Sequence, residues 1–464
     1  MRPLSLTFLL LFGSISSCFS LQVAAQDARS RPNILFIVAD DLGWSDLGCY
    51  GSTFYETPHL DRLAREGVRF SQAYAAASIC SPTRASLMTG KYPVRTGVTD
   101  YIPGLSPKNR KLVTQRTKTE LALEEFTVGE AFRDGGYQTA YIGKWHLGGK
   151  GFEPSEQGFD TYVGSDALGY DKNDWRMGER IANATVDFLA KRDSQKPFIA
   201  CVNFHEPHTP MLEYPDHIGH FKKKASRLPH LADATKPEHE GLTRVRQDDP
   251  AYASEVAGLD SFVGTILDAI DKAGLREQTV VVFFSDNGGL STLAKPGPTS
   301  NAPLRAGKGW LYEGGIRVPL IVRGPGIGTP GKVIDHPVIS TDFYPTFLSL
   351  AGLPPRNLQH LDGVSFTPLL RGEAMSPQRT FYWHYPHYHG STWGPGSALR
   401  EGNWKLIVQD HYATVELYDL ASDPGETNDL SSHESATRDR LLKKLRSWQK
   451  ETNAYIPTEK QSRP

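Results

Sequence analysis

Cysteine is scarce, with four in 464 residues. That excludes a disulfide-stapled scaffold and makes each thiol worth reading singly. An excess of one charge is missing as well. Lys and Arg number 51 against 52 Asp and Glu, a formal net charge of −1, so no global field recruits nucleic acid or an anionic membrane. Beyond the N-terminal segment no apolar run is long enough to span a bilayer, which excludes stable membrane insertion. No internal repeat is visible. Glycine (43) and proline (32) are plentiful instead, as in a scaffold that carries many long loops.

The N-terminus has the pattern of an export signal over residues 1–25. Arg2 supplies the positive end, Leu4 to Phe12 the apolar run, and Val23 and Ala25 a small-residue cleavage pattern. The segment Ile15-Ser16-Ser17-Cys18 offers an alternative, lipoprotein anchoring at Cys18. The expected location is a periplasm or the cell exterior. Removal of the signal leaves Cys49, Cys80 and Cys201, an odd number that points to one special thiol. Cys49 and Cys201 could pair, or Cys201, inside an apolar strand pattern, could be a buried free thiol.

Short apolar runs, each followed by a polar cluster, read as buried strands. Asn33 to Ala39 ends in Asp40-Asp41, Tyr137 to Gly143 in Lys144-Trp145-His146, Pro197 to Phe204 in His205-Glu206-Pro207-His208, and Thr279 to Phe284 in Ser285-Asp286-Asn287-Gly288-Gly289. Helical patterns lie between them, at His59 to Glu66, Thr127 to Gly135, Ala182 to Arg192 and Ala251 to Ala273. This alternation predicts an α/β fold, a large mostly parallel sheet sandwiched by helices, over residues 30–372. Val318 to Val322 adds a strand and Asp342 to Leu350 a helix. From residue 373 to 464 the pattern becomes antiparallel, with strands at Ser397 to Leu406 and Glu416 to Leu420 and a helix at Ala436 to Lys450, a smaller α+β subdomain. Lys222 to Lys224 reads as a solvated loop.

In open parallel sheets ligands bind beyond the carboxyl ends of the strands, where these polar clusters fall. Asp40, Asp41, Asp286 and Asn287 make an all-oxygen set suited to Ca²⁺, or less often Mg²⁺, rather than zinc. Lys144 and His146 alternate on an extended segment and so face the same way, a cation beside a base. Glycines flank Lys308 in Arg305-Ala306-Gly307-Lys308-Gly309-Trp310, allowing backbone to approach a ligand closely. Arg317 and Glu313 read as a structural pair. Cys80 precedes Pro82 and Arg84 at a helix start, where the dipole favours an anion, and Gly90 can end that helix.

The segment Cys80-Ser81-Pro82-Thr83-Arg84, with Leu87-Met88-Thr89-Gly90-Lys91, closely resembles the signature of type I sulfatases of the alkaline phosphatase superfamily. Thr83 stands where Ser is common in that family. The resemblance implies that a formylglycine-generating maturation enzyme oxidises Cys80, and that the hydrated aldehyde is the nucleophile. It implies one Ca²⁺ held by Asp40, Asp41, Asp286, Asn287 and the modified Cys80. It assigns Arg84, Lys144 and Lys308 to the sulfate, His146 to the base that helps release it, and His208 to the proton donor of the leaving alcohol. The match runs from about Pro32 to Leu430. A phosphonate monoester or phosphodiester hydrolase of the same superfamily is the alternative.

The substrate class is read from one further segment. Tyr382-Trp383-His384-Tyr385-Pro386-His387-Tyr388-His389, with Arg400, could wall the pocket and read a sulfated carbohydrate, or could pack between the two units. On the first reading Lys144, His208, Lys308, His384, His387, His389 and Arg400 bind a sulfated sugar or an aryl sulfate.

Overall fold

A computed structural model describes residues 31–105, 110–231, 233–376 and 379–460. The export signal and Cys18 lie outside the described residues. Strand β1 (Asn33–Ala39) leads through helix α1 (Pro58–Glu66) to β2 (Val68–Tyr74) and α2 (Cys80–Thr89). Helix α3 (Val128–Asp134), β3 (Gln138–Gly143), β4 (Thr161–Gly164), α4 (Met177–Lys191) and β5 (Phe198–Asn203) follow. Then come α5 (Pro250–Lys272), β6 (Thr279–Ser285), β7 (Arg317–Arg323) and α6 (Phe343–Leu350). An antiparallel sheet, β8 (Thr380–Tyr385), β9 (Gly396–Glu401), β10 (Trp404–Gln409) and β11 (Thr414–Asp419), precedes α7 (Ser435–Glu451).

The large sheet has the order β2-β7-β6-β1-β5-β3-β4, with Val333–Ile334 and Val338–Ile339 added at β2. β1 pairs parallel with both β5 and β6, and β3 parallel with β5 and β4, while β7 runs against both its neighbours. The apolar runs are continuous because both faces are covered. Along β1, Ile34, Phe36 and Val38 face one core with residues of α2, α3 and α6. Leu35, Ile37 and Ala39 face the other, with residues of α1, α4 and α5. Among the described residues no helix is long and apolar enough to cross a membrane.

Local chemistry sets the helix ends. Thr127 and Glu130 form a capping box at the start of α3, each side chain holding the other's backbone N–H. Asp249 accepts from the Ala251 and Tyr252 N–H groups and Pro250 takes the first turn of α5. Lys222 to Lys224 end a helix over Pro215–Ala225 instead of forming a loop, a place where cations suit the dipole. The predicted strand Ser397 to Leu406 is two strands, because Gly402 turns at φ 61° between β9 and β10. Cys49 and Cys201 are unpaired; Cys201 is sealed inside β5 and packs in the core.

A third apolar cluster fastens the antiparallel sheet to the rest, joining Tyr74, Ile79, Trp310 and Tyr312 to Trp383, Leu406 and Trp448. At its centre the Lys405 ammonium lies 2.9 Å from Glu313 Oε1 and 2.7 Å from Glu426 Oε1, with all three side chains fully buried. Arg317 stands farther from Glu313, at 3.5 Å, so Lys405 is its closer partner. Lys405→Met leaves two buried carboxyls without their cation. It should cost about 3–5 kcal/mol, read as a lower urea midpoint at unchanged slope.

Candidate active site

Strand direction brings the polar clusters together. β1, β3, β5 and β6 run parallel, so Asp40, Lys144, His205 and Asp286 emerge at one sheet edge. β2 runs the same way and delivers the chain to Cys80 at the start of α2. β7 is reversed, so the loop that precedes it, with Lys308, reaches the same edge.

Two glycine-bearing loops meet there. A Cβ on Gly288 would stand 1.9 Å from the Gly314 carbonyl oxygen, and one on Gly307 2.2 Å from that of Gly289. The Lys308 N–H donates to the Gly289 carbonyl at 3.0 Å. These two glycines therefore serve the approach of one loop to the other rather than to a ligand. Asp41, His146 and Ala306 hold positive φ angles of 66°, 58° and 55°. Such backbone strain in non-glycine residues clusters at functional sites.

The site pairs carboxylates with cations. Lys144 Nζ contacts Asp40 Oδ2, and Lys308 Nζ lies 2.7 Å from Asp41 Oδ2. Arg84 Nε donates to Asp286 Oδ2 at 2.8 Å, and its Nη1 to the Lys144 carbonyl and Asn203 Oδ1. Burial would raise the Asp40 carboxyl, but Lys144, His208, Arg84 and Lys308 together hold it well below the usual range. Burial, then the Asp40 charge, pushes Asp286 up to about 7 against the pull of Arg84 and Lys144. Arg84 is 1% exposed and absent from the cavity lining. Its Nε and Nη1 are engaged by Asp286, the Lys144 carbonyl and Asn203, while its Nη2 is buried with no hydrogen-bond partner.

The donor set fits a hard cation. Asn287 Nδ2 donates to Asp41 Oδ1 at 2.8 Å and to the Gly288 carbonyl at 3.0 Å, which turns its Oδ1 away. That oxygen and Asp40 Oδ1 are buried with no hydrogen-bond partner. Buried acceptors left so are costly, and a Ca²⁺ ion would satisfy them. Ligand atoms of Asp40, Asp41 and His208 also fall within 4.8 Å of one another. An oxygen-rich set with one imidazole at its edge still favours Ca²⁺ over zinc.

Two histidines have readable tautomers. His146 Nε2 lies 2.8 Å from the Ile102 carbonyl, which can only accept, so Nε2 bears the proton. Nδ1 then offers its lone pair to Cys80 Sγ at 3.2 Å. Burial, then Lys144, lowers His146 to about 3, so its Nδ1 is unprotonated at neutral pH. His208 Nδ1 likewise donates to the Thr209 carbonyl at 2.7 Å, leaving Nε2 for exchange, 3.7 Å from Asp41 Oδ2. Burial raises the Cys80 thiol despite Lys144 and Lys308, so position 80 as cysteine is a neutral and poor nucleophile.

A cavity of about 740 Å³ opens over this edge, lined by Cys80, Lys144, His146, His208, Lys308 and His389 among others. His389 is the one member of the aromatic and histidine segment that reaches it. His384 is buried, its Nδ1 2.8 Å from Ser397 Oγ and its Nε2 donating to the Tyr455 carbonyl. His387 is buried against Thr99 Oγ1 at 2.9 Å. Arg400 packs its guanidinium on the Tyr74 ring and donates to Tyr74 Oη, Gln72 and the Gly402 carbonyl. These three side chains are engaged in packing and do not line this cavity, in contrast to the expectation that they wall it. His384 is buried within β8, Arg400 within β9 and His387 in the turn that follows β8, a distinction that composition could not make.

His384 gives a pH test. Burial lowers it to about 4, so the folded chain holds it neutral while the unfolded chain protonates near 6.5. Its contribution is full above pH 6.5 and is lost as pH falls toward 4. His384→Gln should therefore destabilise more at pH 7 than at pH 4, by about 3 kcal/mol, in paired denaturant titrations.

Three neighbours of the site carry no motif. Asn203 closes β5 and accepts from Arg84; Ser165 Oγ lies 2.8 Å from His205 Nε2; Tyr170 stacks on the His205 ring. Asn203 is the one polar residue inside the apolar run Pro197 to Phe204, a signal the strand pattern alone does not single out. Ser165 and Tyr170 sit on a loop with no periodicity to mark them.

Carboxylates, lysines, a base and a helix-start residue on one sheet edge define a hydrolase that handles a tetrahedral oxyanion. The chain belongs to the sulfatase family, whose model matches residues 32–353. A model described as N-sulphoglucosamine sulphohydrolase, C-terminal, matches residues 306–452. The chain is 32% identical to a sulfatase of Formosa agariphila, covering 96% of this chain and 94% of that one. It is 34% identical to arylsulfatase A of Homo sapiens, covering 92% and 89% respectively. The crystal structure of Ps i-CgsB in complex with k-i-k-neocarrahexaose aligns with a TM-score of 0.73 at 28% identity, over 90% of this chain and 92% of that one. The protein is a sulfuric ester hydrolase.

Proposed function

We propose that this enzyme hydrolyses a sulfate monoester on a sulfated carbohydrate, with formylglycine made from Cys80 and one bound Ca²⁺, after export to a periplasm or the cell exterior. The carrying observation is the contact of Cys80 Sγ with His146 Nδ1, beside Lys144 and Lys308, at the floor of the cavity. The neutral thiol favours a modified group at this position over a thiolate. Formylglycine supplies a hydrated aldehyde as nucleophile, and Ca²⁺ polarises oxygens; Asp40, Asp41, Asp286 and Asn287 would hold the ion.

The remaining work falls to this chain's own side chains. Lys144 and Lys308 hold the sulfate oxygens and offset charge as it develops. His208 presents Nε2 to the leaving oxygen, and only its doubly protonated form, with Nδ1–H kept on the Thr209 carbonyl, donates a proton there. His146 Nδ1 accepts a proton from position 80, and its Nε2–H to the Ile102 carbonyl keeps that tautomer in place. Arg84 fixes Asp286 and the Lys144 backbone, so the cation and the carboxylate stay in register. One relative is named N-acetylgalactosamine-6-sulfatase and the Ps i-CgsB structure is a complex with k-i-k-neocarrahexaose, which supports the substrate class; the N-terminal pattern of Arg2 and Leu4 to Phe12 supports export.

The test is product release by protein co-expressed with a formylglycine-generating enzyme, on sulfated oligosaccharides, an aryl sulfate and a matched aryl phosphate diester. Sulfate release from the oligosaccharides is the expected result. Preferential cleavage of the phosphate diester would overturn the reading.

A further inference from the structure

The cavity wall beyond the reacting end bears on the leaving alcohol, an inference that rests on the reaction proposed above. Among the described lining residues the permanent cations are Lys144 and Lys308, and each already contacts a carboxylate at the sheet edge. The rest of the wall has another character. Ile79, Ile102, Leu105, Leu290 and Leu293 give it apolar surface. Tyr170 stacks on His205 with ring centroids 4.6 Å apart and planes 24° from parallel. His205 is pinned in turn by Ser165. Tyr170 remains 46% exposed, an aromatic ring held by a partner on one side and open to the cavity. Asp166, an exposed carboxylate, lines the same wall.

We propose that this wall selects a leaving alcohol whose ring carries no charge besides the scissile sulfate, laid on Tyr170, with Asp166 accepting from its hydroxyls and disfavouring a second anion on that ring. Two lysines suffice for one sulfate. Among the described residues that line this cavity a second sulfate or a carboxylate on the same ring finds no third cation, so it would lose water and face Asp166. A hydroxyl there gains a charge-assisted hydrogen bond instead. Apolar ring faces, as on a neutral sugar, suit the stacked tyrosine. The excluded class is the ring that bears a uronate-type carboxylate or two sulfates.

The probes are meta-carbamoylphenyl sulfate and meta-carboxyphenyl sulfate, alike in shape and different in charge. Matured enzyme should prefer the amide in kcat/KM by about tenfold or more. Asp166→Asn should narrow that preference to within about threefold, and Tyr170→Ala should raise KM for both probes several-fold. Calorimetric binding of the same pair to Cys80→Ala protein gives the preference without turnover. Equal binding and turnover of the two probes, or a preference that Asp166→Asn leaves unchanged, would overturn the inference. A preference kept in binding while the matured enzyme releases no sulfate would sink the reaction reading and leave the inference standing.

Discussion

Replacing Cys80 by alanine should lower sulfate release by at least about 10⁴-fold while leaving the fold in place. Each half of that expectation has its own cause. Among the described lining residues Cys80 and Ser165 each meet an imidazole nitrogen, and Cys80, 3.2 Å from His146 Nδ1, is the one that opens a helix with the charges of both lysines acting on it. Structurally the thiol is small and sits at the first position of α2, where alanine is well tolerated. The expected stability loss is about 1 kcal/mol. Sulfate release by ion chromatography and a thermal melt on the same samples separate the two effects. Mass spectrometry of the peptide around residue 80 in the parent protein reports whether the sulfur has been replaced by oxygen. Residual turnover within tenfold of the parent would mean that another group attacks.

Much of this site was legible because a parallel sheet makes it so. Once Asn33 to Ala39 and Thr279 to Phe284 read as buried strands, their following carboxylates had to share an edge, and the registers Val38 with Phe284 and Ala39 with Ser285 put them there. The reversal of β7 was not legible, since Val318 to Val322 is apolar whichever way it runs. That reversal is what carries Lys308 to the same edge. β2 escaped notice for a different reason. Val68-Arg69-Phe70-Ser71-Gln72-Ala73-Tyr74 mixes polar and apolar residues because it lies toward one side of the sheet, with Arg69, Ser71 and Gln72 only half-buried.

The segment Tyr382 to His389 marks the limit of composition. Aromatic and imidazole residues serve a sugar pocket and a packed interface equally well. His384 lies within β8, His387 turns onto Thr99 just past the strand's end at Tyr385, and two residues further His389 reaches Gly309. Arg84 is a similar case. The motif shows a cation near the nucleophile, but only three-dimensional structure shows its Nε and Nη1 on Asp286, Lys144 and Asn203 and its Nη2 without a hydrogen-bond partner.

Changing Asp40 and Asp41 together to asparagine should weaken Ca²⁺ binding by at least about 100-fold. The argument is electrostatic. Asp40, Asp41 and Asp286 are matched by Lys144, Lys308 and Arg84, so the side chains of the site balance without an ion. A divalent cation then makes the site positive, which suits a bound sulfate ester and still more the charge that builds on its oxygens as the ester bond breaks. Asparagine keeps the shape and an oxygen at each position, yet it removes two charges. The lysines then repel the incoming ion, and the buried oxygens of Asn287 and residue 40 bind it only as dipoles. Calorimetry on the unreactive Cys80→Ala protein measures this without reference to turnover. Calcium affinity unchanged in the double variant would place the ion elsewhere and leave the two orphaned oxygens, Asp40 Oδ1 and Asn287 Oδ1, to be satisfied by water.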